Sequence, residues 1–176
     1  MHIRELHREE IETIWTIDRS EVIENVYYFR NGTLVLQPEY YNLQGWSPGS
    51  SERNMPMLLD CFDRGGLFYG AFQNEALSGV VVLDNAFIGP NKDQLQLTFL
   101  HISRPYRKQG LGKVLFNKAV ERARAMNARK LYISAIPSEN TINFYLNMGC
   151  IVTRDVDPEL FELEPEDIHL EYGIPA

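Results

Sequence analysis

Apolar positions recur along the chain with two different periods, and the changes between them mark out its elements. Met1 to Leu6 alternates apolar and polar residues, the period of a strand with one buried face. His7 to Ile17 carries Ile11, Ile14, Trp15 and Ile17 near helical spacing and predicts an amphipathic helix. From 18 to 50 the pattern weakens. Glu21 to Phe29 is compatible with a continued helix and Thr33 to Gln37 with a strand, while Pro38, Gly45, Pro48 and Gly49 interrupt the rest. Six aromatic residues crowd this stretch, Tyr27, Tyr28, Phe29, Tyr40, Tyr41 and Trp46, and they read first as core or edge cover and second as substrate-facing.

Periodicity then sharpens. Ser50 or Ser51 is placed to cap a helix over Glu52 to Arg64, with Met55, Leu58, Leu59 and Phe62 on one face and Gly65-Gly66 as its stop. Leu67 to Gln73 and Leu77 to Asp84 are two β-rich runs joined by a short hairpin connection. Gln94 to Ile102 alternates and then turns continuously apolar, as a strand entering a buried centre does. Leu111, Val114, Leu115, Ala119, Ala123 and Met126 predict a helix, and Lys130 to Ile136 the next strand. Ser138 then caps a helix carrying Ile142, Phe144, Tyr145 and Met148 and ending at Gly149. Cys150 to Arg154 and Asp167 to Tyr172 are two final strands around an acidic link, 155–166. The order is β-α-(α)-β-β-β-α-β-α-β-β. It predicts one α/β domain over residues 1–176: a mixed sheet of about six to seven strands, helices on both faces, and a parallel step at each later strand–helix–strand passage.

The 176 residues suit one domain, and 44% hydrophobic with 23% charged residues is ordinary for a globular chain. A net charge of −7 argues against nucleic acid as a partner, and no apolar run approaches a membrane span, so a cytoplasmic protein is expected. Cys61 and Cys150 are expected to be reduced core thiols without a metal. Against this acidic background Arg104, Arg107, Lys108 and Lys113 cluster around Gly110 and Gly112, between a strand and a helix. Glycine lets amide N–H groups converge, and the helix N-terminus adds partial positive charge, so this turn is suited to a phosphate. The dinucleotide fingerprint fails because Leu115 stands where its third glycine belongs. The P-loop fails because Val114 follows Lys113 and Arg107 occupies its first glycine position.

Arg107-Lys-Gln-Gly110-Leu-Gly112 resembles the Arg/Gln-x-x-Gly-x-Gly/Ala turn of the GCN5-related N-acetyltransferase (GNAT) superfamily. Ser138-Glu-Asn-Thr141-Ile-Asn-Phe144-Tyr145-Leu-Asn-Met-Gly149 is similar to that family's Asn-x-x-Ala-x-x-Phe-Tyr-x-x-x-Gly-Phe segment. Ser138, Thr141 and Cys150 depart from the pattern; the turn and the tyrosine keep it. The resemblance implies a GNAT-like fold and acetyl-CoA as acyl donor. Residues 107–113 (Arg107, Lys108, Gln109, Gly110, Leu111, Gly112 and Lys113) would hold its phosphates. Leu100 and Ile102 would offer backbone groups to the pantetheine arm, Phe144 would pack along it, and Ser138 or Asn140 would add polar contacts.

The same resemblance makes Tyr145 the acid that protonates the leaving thiolate, since a tyrosine stays protonated where a thiol begins to ionise. The acceptor would be a small-molecule or peptide amine, and the acidic residues of the N-terminal and C-terminal segments would favour a cationic one. A non-catalytic acyl-CoA-binding domain is the alternative, and a homodimer through the final strands is compatible with the pattern. No base is assigned: Gln94 and Gln96 stand where some relatives carry a carboxylate, and His101, Glu21, Glu24, Asp84 or a chain of waters remain candidates.

Overall fold

Strand and helix boundaries follow the hydrophobic pattern after residue 50, except that the strand expected to end at Asp84 runs on to Ile88 and the Cys150–Arg154 run keeps only Ile151–Val152; the main departures lie between residues 7 and 50. The computed structural model describes residues 1–176. In chain order it holds β1 (His2–Glu5), a 3₁₀ helix (Arg8–Thr16), β2 (Glu21–Arg30), β3 (Thr33–Leu43), α1 (Ser50–Asp63), β4 (Leu67–Gln73), β5 (Ala76–Ile88) and β6 (Gln94–Ile102). A single 3₁₀ turn (Arg104–Tyr106) leads to α2 (Leu111–Ala125), β7 (Lys130–Ala135), α3 (Glu139–Asn147), β8 (Ile151–Val152), α4 (Pro158–Leu163) and β9 (Ile168–Gly173).

Seven strands form one sheet in the order β1-β4-β5-β6-β7-β9-β8, and β2 and β3 form a separate hairpin. The β6–β7 pair is parallel, spanned by α2, as the strand–helix–strand pattern predicts. The second strand–helix–strand passage is parallel too, but its strands are not neighbours. β7 and β8 both run antiparallel to β9, which lies between them, so the crossover through α3 passes over one strand position.

The compatibility of Glu21 to Phe29 with a helix is corrected. Its Val22, Ile23, Val26, Tyr27, Tyr28 and Phe29 are β-branched or aromatic, and they pair with β3 around Asn31-Gly32. Both turn residues have positive φ, 51° and 77°, which is the two-residue hairpin connection that Asn-Gly favours. Pro38 is accommodated beside the register shift between Ile23 and Asn25. The first helix is 3₁₀ rather than α, and Ile11, Ile14 and Ile17, three residues apart, are all buried along it. Gly49, in the left-handed region, caps α1 in place of the expected serines. The acidic link contains α4, whose N-cap Asp157 accepts from the amides of Glu159 and Leu160.

The sheet separates two cores. On one face Val81, Leu83, Leu95, Leu97, Leu131 and Ile133 pack under Leu115, Phe116, Ala119 and Ala123 of α2. On the other, Phe68, Phe72, Val80 and Val82 meet Ile11 and Ile14 of the 3₁₀ helix and Leu58 and Cys61 of α1. Cys61 and Cys150 are free and buried, and burial pushes both thiols up to about 12.

Candidate active site

β6 and β7 pair only from Gln94–Lys130 to Gln96–Tyr132 and then part. Two features open β6 at this point. Thr98 is the extra residue of a bulge, since Val82 pairs with Phe99 and Leu83 with Leu97. Beyond it the amide of Ser103 donates to Ser78 O, which fixes the phase of the β5–β6 ladder. By antiparallel alternation Leu100 and Ile102 turn their N–H and C=O away from β5, into the gap that β7 has left. The Thr98 hydroxyl is buried at the apex of that gap with no hydrogen-bond partner.

At the end of β6 lies the glycine turn. Lys108 (φ 61°) and Gly110 (φ 83°) are both left-handed, and Gly110 is the N-cap of α2. Alternating handedness folds successive amides around a concavity. The N–H groups of Lys108, Gln109, Gly110, Leu111, Gly112 and Lys113 have no acceptor within the protein. A nest of unpaired amides on a helix N-terminus is an anion site, and it stands at the mouth of an open strand edge.

α3 closes the gap from the α2 side. Phe144 lies against Gly112, where an added Cβ would meet its ring at 3.2 Å, so that glycine lets the two helices approach. Tyr145 packs edge-on to Phe144 and near Phe116, with centroids 5.2 and 6.2 Å away. Its hydroxyl makes no hydrogen bond within the protein, and burial raises its pKa, which keeps it protonated at neutral pH.

A family model for the acetyltransferase (GNAT) family matches residues 30–150. The chain belongs to the GNAT acetyltransferase family. Solved structures agree at the level of the fold. Nourseothricin acetyltransferase superposes with a TM-score of 0.73 at 18% identity, over 99% of this chain and 98% of that one. PaiA N-acetyltransferase from Thermoplasma acidophilum, solved with coenzyme A, gives 0.63 at 21% identity over 98% of each chain. The ribosomal-protein-S18-alanine N-acetyltransferase from Escherichia coli gives 0.62 at 14% identity, over 99% of this chain and 94% of that one.

In this GNAT chain the residues expected around acetyl-CoA divide in two. Leu100, the amides of residues 108–113 and Phe144 border the gap. Arg107 does not present its side chain there. Its guanidinium donates to Ile102 O (2.9 Å), Ser20 O (3.1 Å) and Asp18 O (3.1 Å), so it braces the turn and also occupies the Ile102 carbonyl. Ser138 is buried and spends its hydroxyl on the α3 cap, donating to Thr141 Oγ1 at 2.9 Å. Asn140 donates to Glu21 Oε1 at 3.2 Å and ties α3 to β2. The Gln109 side chain turns back to Pro105 O.

Sequence reasoning named His101 and Trp46 singly but did not bring them together on the opposite side of the gap. Leu131, Ile133 and Ala135 face the α2 core, so Tyr132 and Ser134 face the other way. On that side His101 sits edge-on to Trp46 and Phe99, each 5.0 Å away between centroids, and burial holds its pKa well below 6.5. Arg19 stacks over Trp46 at 4.4 Å, and burial lowers its pKa. The loop carrying it is pinned to the glycine turn by Asp18 N to Ser103 Oγ, Arg104 N to Asp18 O, and the Arg107 bonds. Asp167 faces this chamber too, its carboxyl accepting from Ser134 Oγ at 3.1 Å. No helix of the chain is long and apolar enough to cross a membrane. No group of three or more His, Cys, Asp or Glu side chains is arranged to hold a metal ion.

Proposed function

We propose that the gap between β6 and β7 is the acetyl-transfer site of an acetyl-CoA-dependent N-acetyltransferase that acts on a small-molecule or peptide amine. The single observation carrying this reading is the run of acceptor-less amides at residues 108–113, set at the end of the unpaired β6 edge. The amides would receive the pyrophosphate, and Leu100 would pair with the peptide-like arm. Acetyl-CoA brings an acyl carbon activated by a thiolate leaving group. Tyr145 supplies the proton that sulfur needs, from the α3 side. Phe144 and the aromatic wall of Trp46 and Phe99 keep water from both sides of the gap.

The acceptor enters from the face that carries Arg19, Glu21 and Asp167. A net charge of −7 draws a protonated amine toward the molecule. Buried free thiols fit a reducing compartment, and we place the enzyme in the cytoplasm.

CoA release from acetyl-CoA across polyamines, amino acids, aminoglycosides and peptide N-termini tests the reading. Amine-dependent release with at least one class is expected. Calorimetric binding of acetyl-CoA without release in any class would replace the enzyme by a binding domain.

A further inference from the structure

An alkylamine with a pKa near 10 is about one part in a thousand neutral at pH 7, so an acceptor that arrives as an ammonium must lose a proton before it reacts. The residues considered from sequence are each committed elsewhere or unsuited. Gln94 and Gln96 are amides. Asp84 is paired with the Arg64 guanidinium at 3.0 Å. Glu21 holds Asn140. Glu24 is exposed on the hairpin. His101 is enclosed by Trp46 and Phe99.

The nearby His169 is also spoken for. Asp157 N donates to the Tyr132 hydroxyl at 3.1 Å, and that hydroxyl meets His169 Nδ1 at 2.6 Å. Nε2 lies 3.0 Å from Glu164 O, so both ring nitrogens are occupied.

Asp167 stands apart from all of these. It is half-buried in the bend immediately before β9, and its carboxyl takes one hydrogen bond, from Ser134, with no cation at ion-pair distance. Ser134 lies two residues beyond Tyr132, the last β7 residue paired with β6, which places the carboxyl beside the point where the gap opens. It lies on the face opposite Tyr145, which belongs to the α2–α3 core. The amine nitrogen and the thiolate sulfur are separate substituents of the tetrahedral carbon formed in acyl transfer, so a base on one face of the gap and an acid on the other can each serve one of them. Resting on the transferase reading above, we propose that Asp167, oriented by Ser134, is the base that takes the acceptor's proton.

Asp167 accepts one proton from R–NH3+, and the freed lone pair forms the C–N bond while the C–S electrons pass to sulfur. Tyr145 gives sulfur its proton and regains one from water. The new amide nitrogen and Asp167 each pass one proton to water, so the sum is one acetamide, one CoA thiol and one proton. The groups facing Asp167 set its titration. Burial, with Glu164 beside it, raises its pKa to about 6; the Ser134 hydrogen bond, His169 and Arg19 oppose the rise. The carboxyl is therefore ionised at pH 7 and basic enough to work there.

The test is the pH dependence of kcat/KM for a primary amine that the wild-type protein acetylates. The wild-type profile rises through about 6. Asp167→Asn, which keeps an acceptor for Ser134, removes that limb and leaves a rise at the amine's own pKa. The loss is about 100-fold or more at pH 7 and shrinks toward pH 9.5. Ser134→Ala moves the limb upward, because the hydrogen bond that lowers the Asp167 pKa is gone. An Asp167→Asn profile parallel to wild type, or a limb unmoved in Ser134→Ala, overturns the assignment while leaving the transferase reading intact. Wild-type protein that binds acetyl-CoA yet acetylates no amine fails the transferase reading, and the assignment falls with it.

Discussion

Single atoms decide what the gap can do. Tyr145 is held by ring packing against Phe144 and Phe116, and its hydroxyl takes no part in holding the fold. Tyr145→Phe should therefore keep the fold and the acetyl-CoA Kd while kcat falls by roughly 10- to 1,000-fold. Unchanged turnover in steady-state assays would remove the hydroxyl from the mechanism. Arg107 shows the opposite division. The motif reading assigns its charge to phosphate, yet its guanidinium is spread over three main-chain carbonyls. Lysine cannot span three acceptors in a planar fork. Arg107→Lys should cost about 2 kcal/mol and lower Tm by roughly 4–8 °C in calorimetry. A Tm within 1 °C of wild type would mean that these bonds contribute nothing to stability.

At the scale of elements, the second half of the chain is legible because its periods are clean and its connections short. β6, α2, β7 and α3 fall where their apolar spacing puts them, and the turn between β6 and α2 announces itself through Gly110 and Gly112. The hairpin of β2 and β3 is less legible. Its aromatic residues suit core, strand and binding surface alike, although Asn31-Gly32 was a local signal for the turn. β9 entering between β7 and β8 has no local signal at all, because register across a sheet is settled by non-local pairing. That insertion brings Asp167 to Ser134, which explains why the role of a residue at the head of the last predicted strand became visible only in three dimensions. The Arg107 clamp was hidden in the same way, since two of its three partners lie 89 and 87 residues away.

For the whole molecule, the site carries a cost in stability. Asp167 has its pKa raised to about 6, so the folded state binds its proton more tightly than the unfolded chain does. Stability from this group is full below about 3.9 and is lost as pH rises through about 6. Asp167→Asn removes the penalty. It should be more stable than wild type by about 1–2 kcal/mol at pH 8, with little difference at pH 4. Melting curves at the two pH values check this; equal Tm at pH 8 would show that the carboxylate is not desolvated. Glu10 runs the other way. The Arg4 guanidinium, 2.6 Å away, and the His7 amide hold it down to about 2. The stability it contributes is present above its ordinary value near 4.5 and is lost as pH falls toward 2. A more stable but slower Asp167→Asn would be the mark of a group kept for chemistry rather than for folding.

The central claim is that one face of the molecule, the parted edge of β6 with the amides of residues 108–113, receives the acyl donor. Backbone ¹⁵N–¹H spectra recorded while CoA is added read that surface directly. The largest shifts should fall on Gly110, Leu111, Gly112 and Leu100, and the amides of β1 and α4 should stay where they are. CoA binding accompanied by shifts clustered elsewhere, with Gly110 to Gly112 unmoved, would contradict the account.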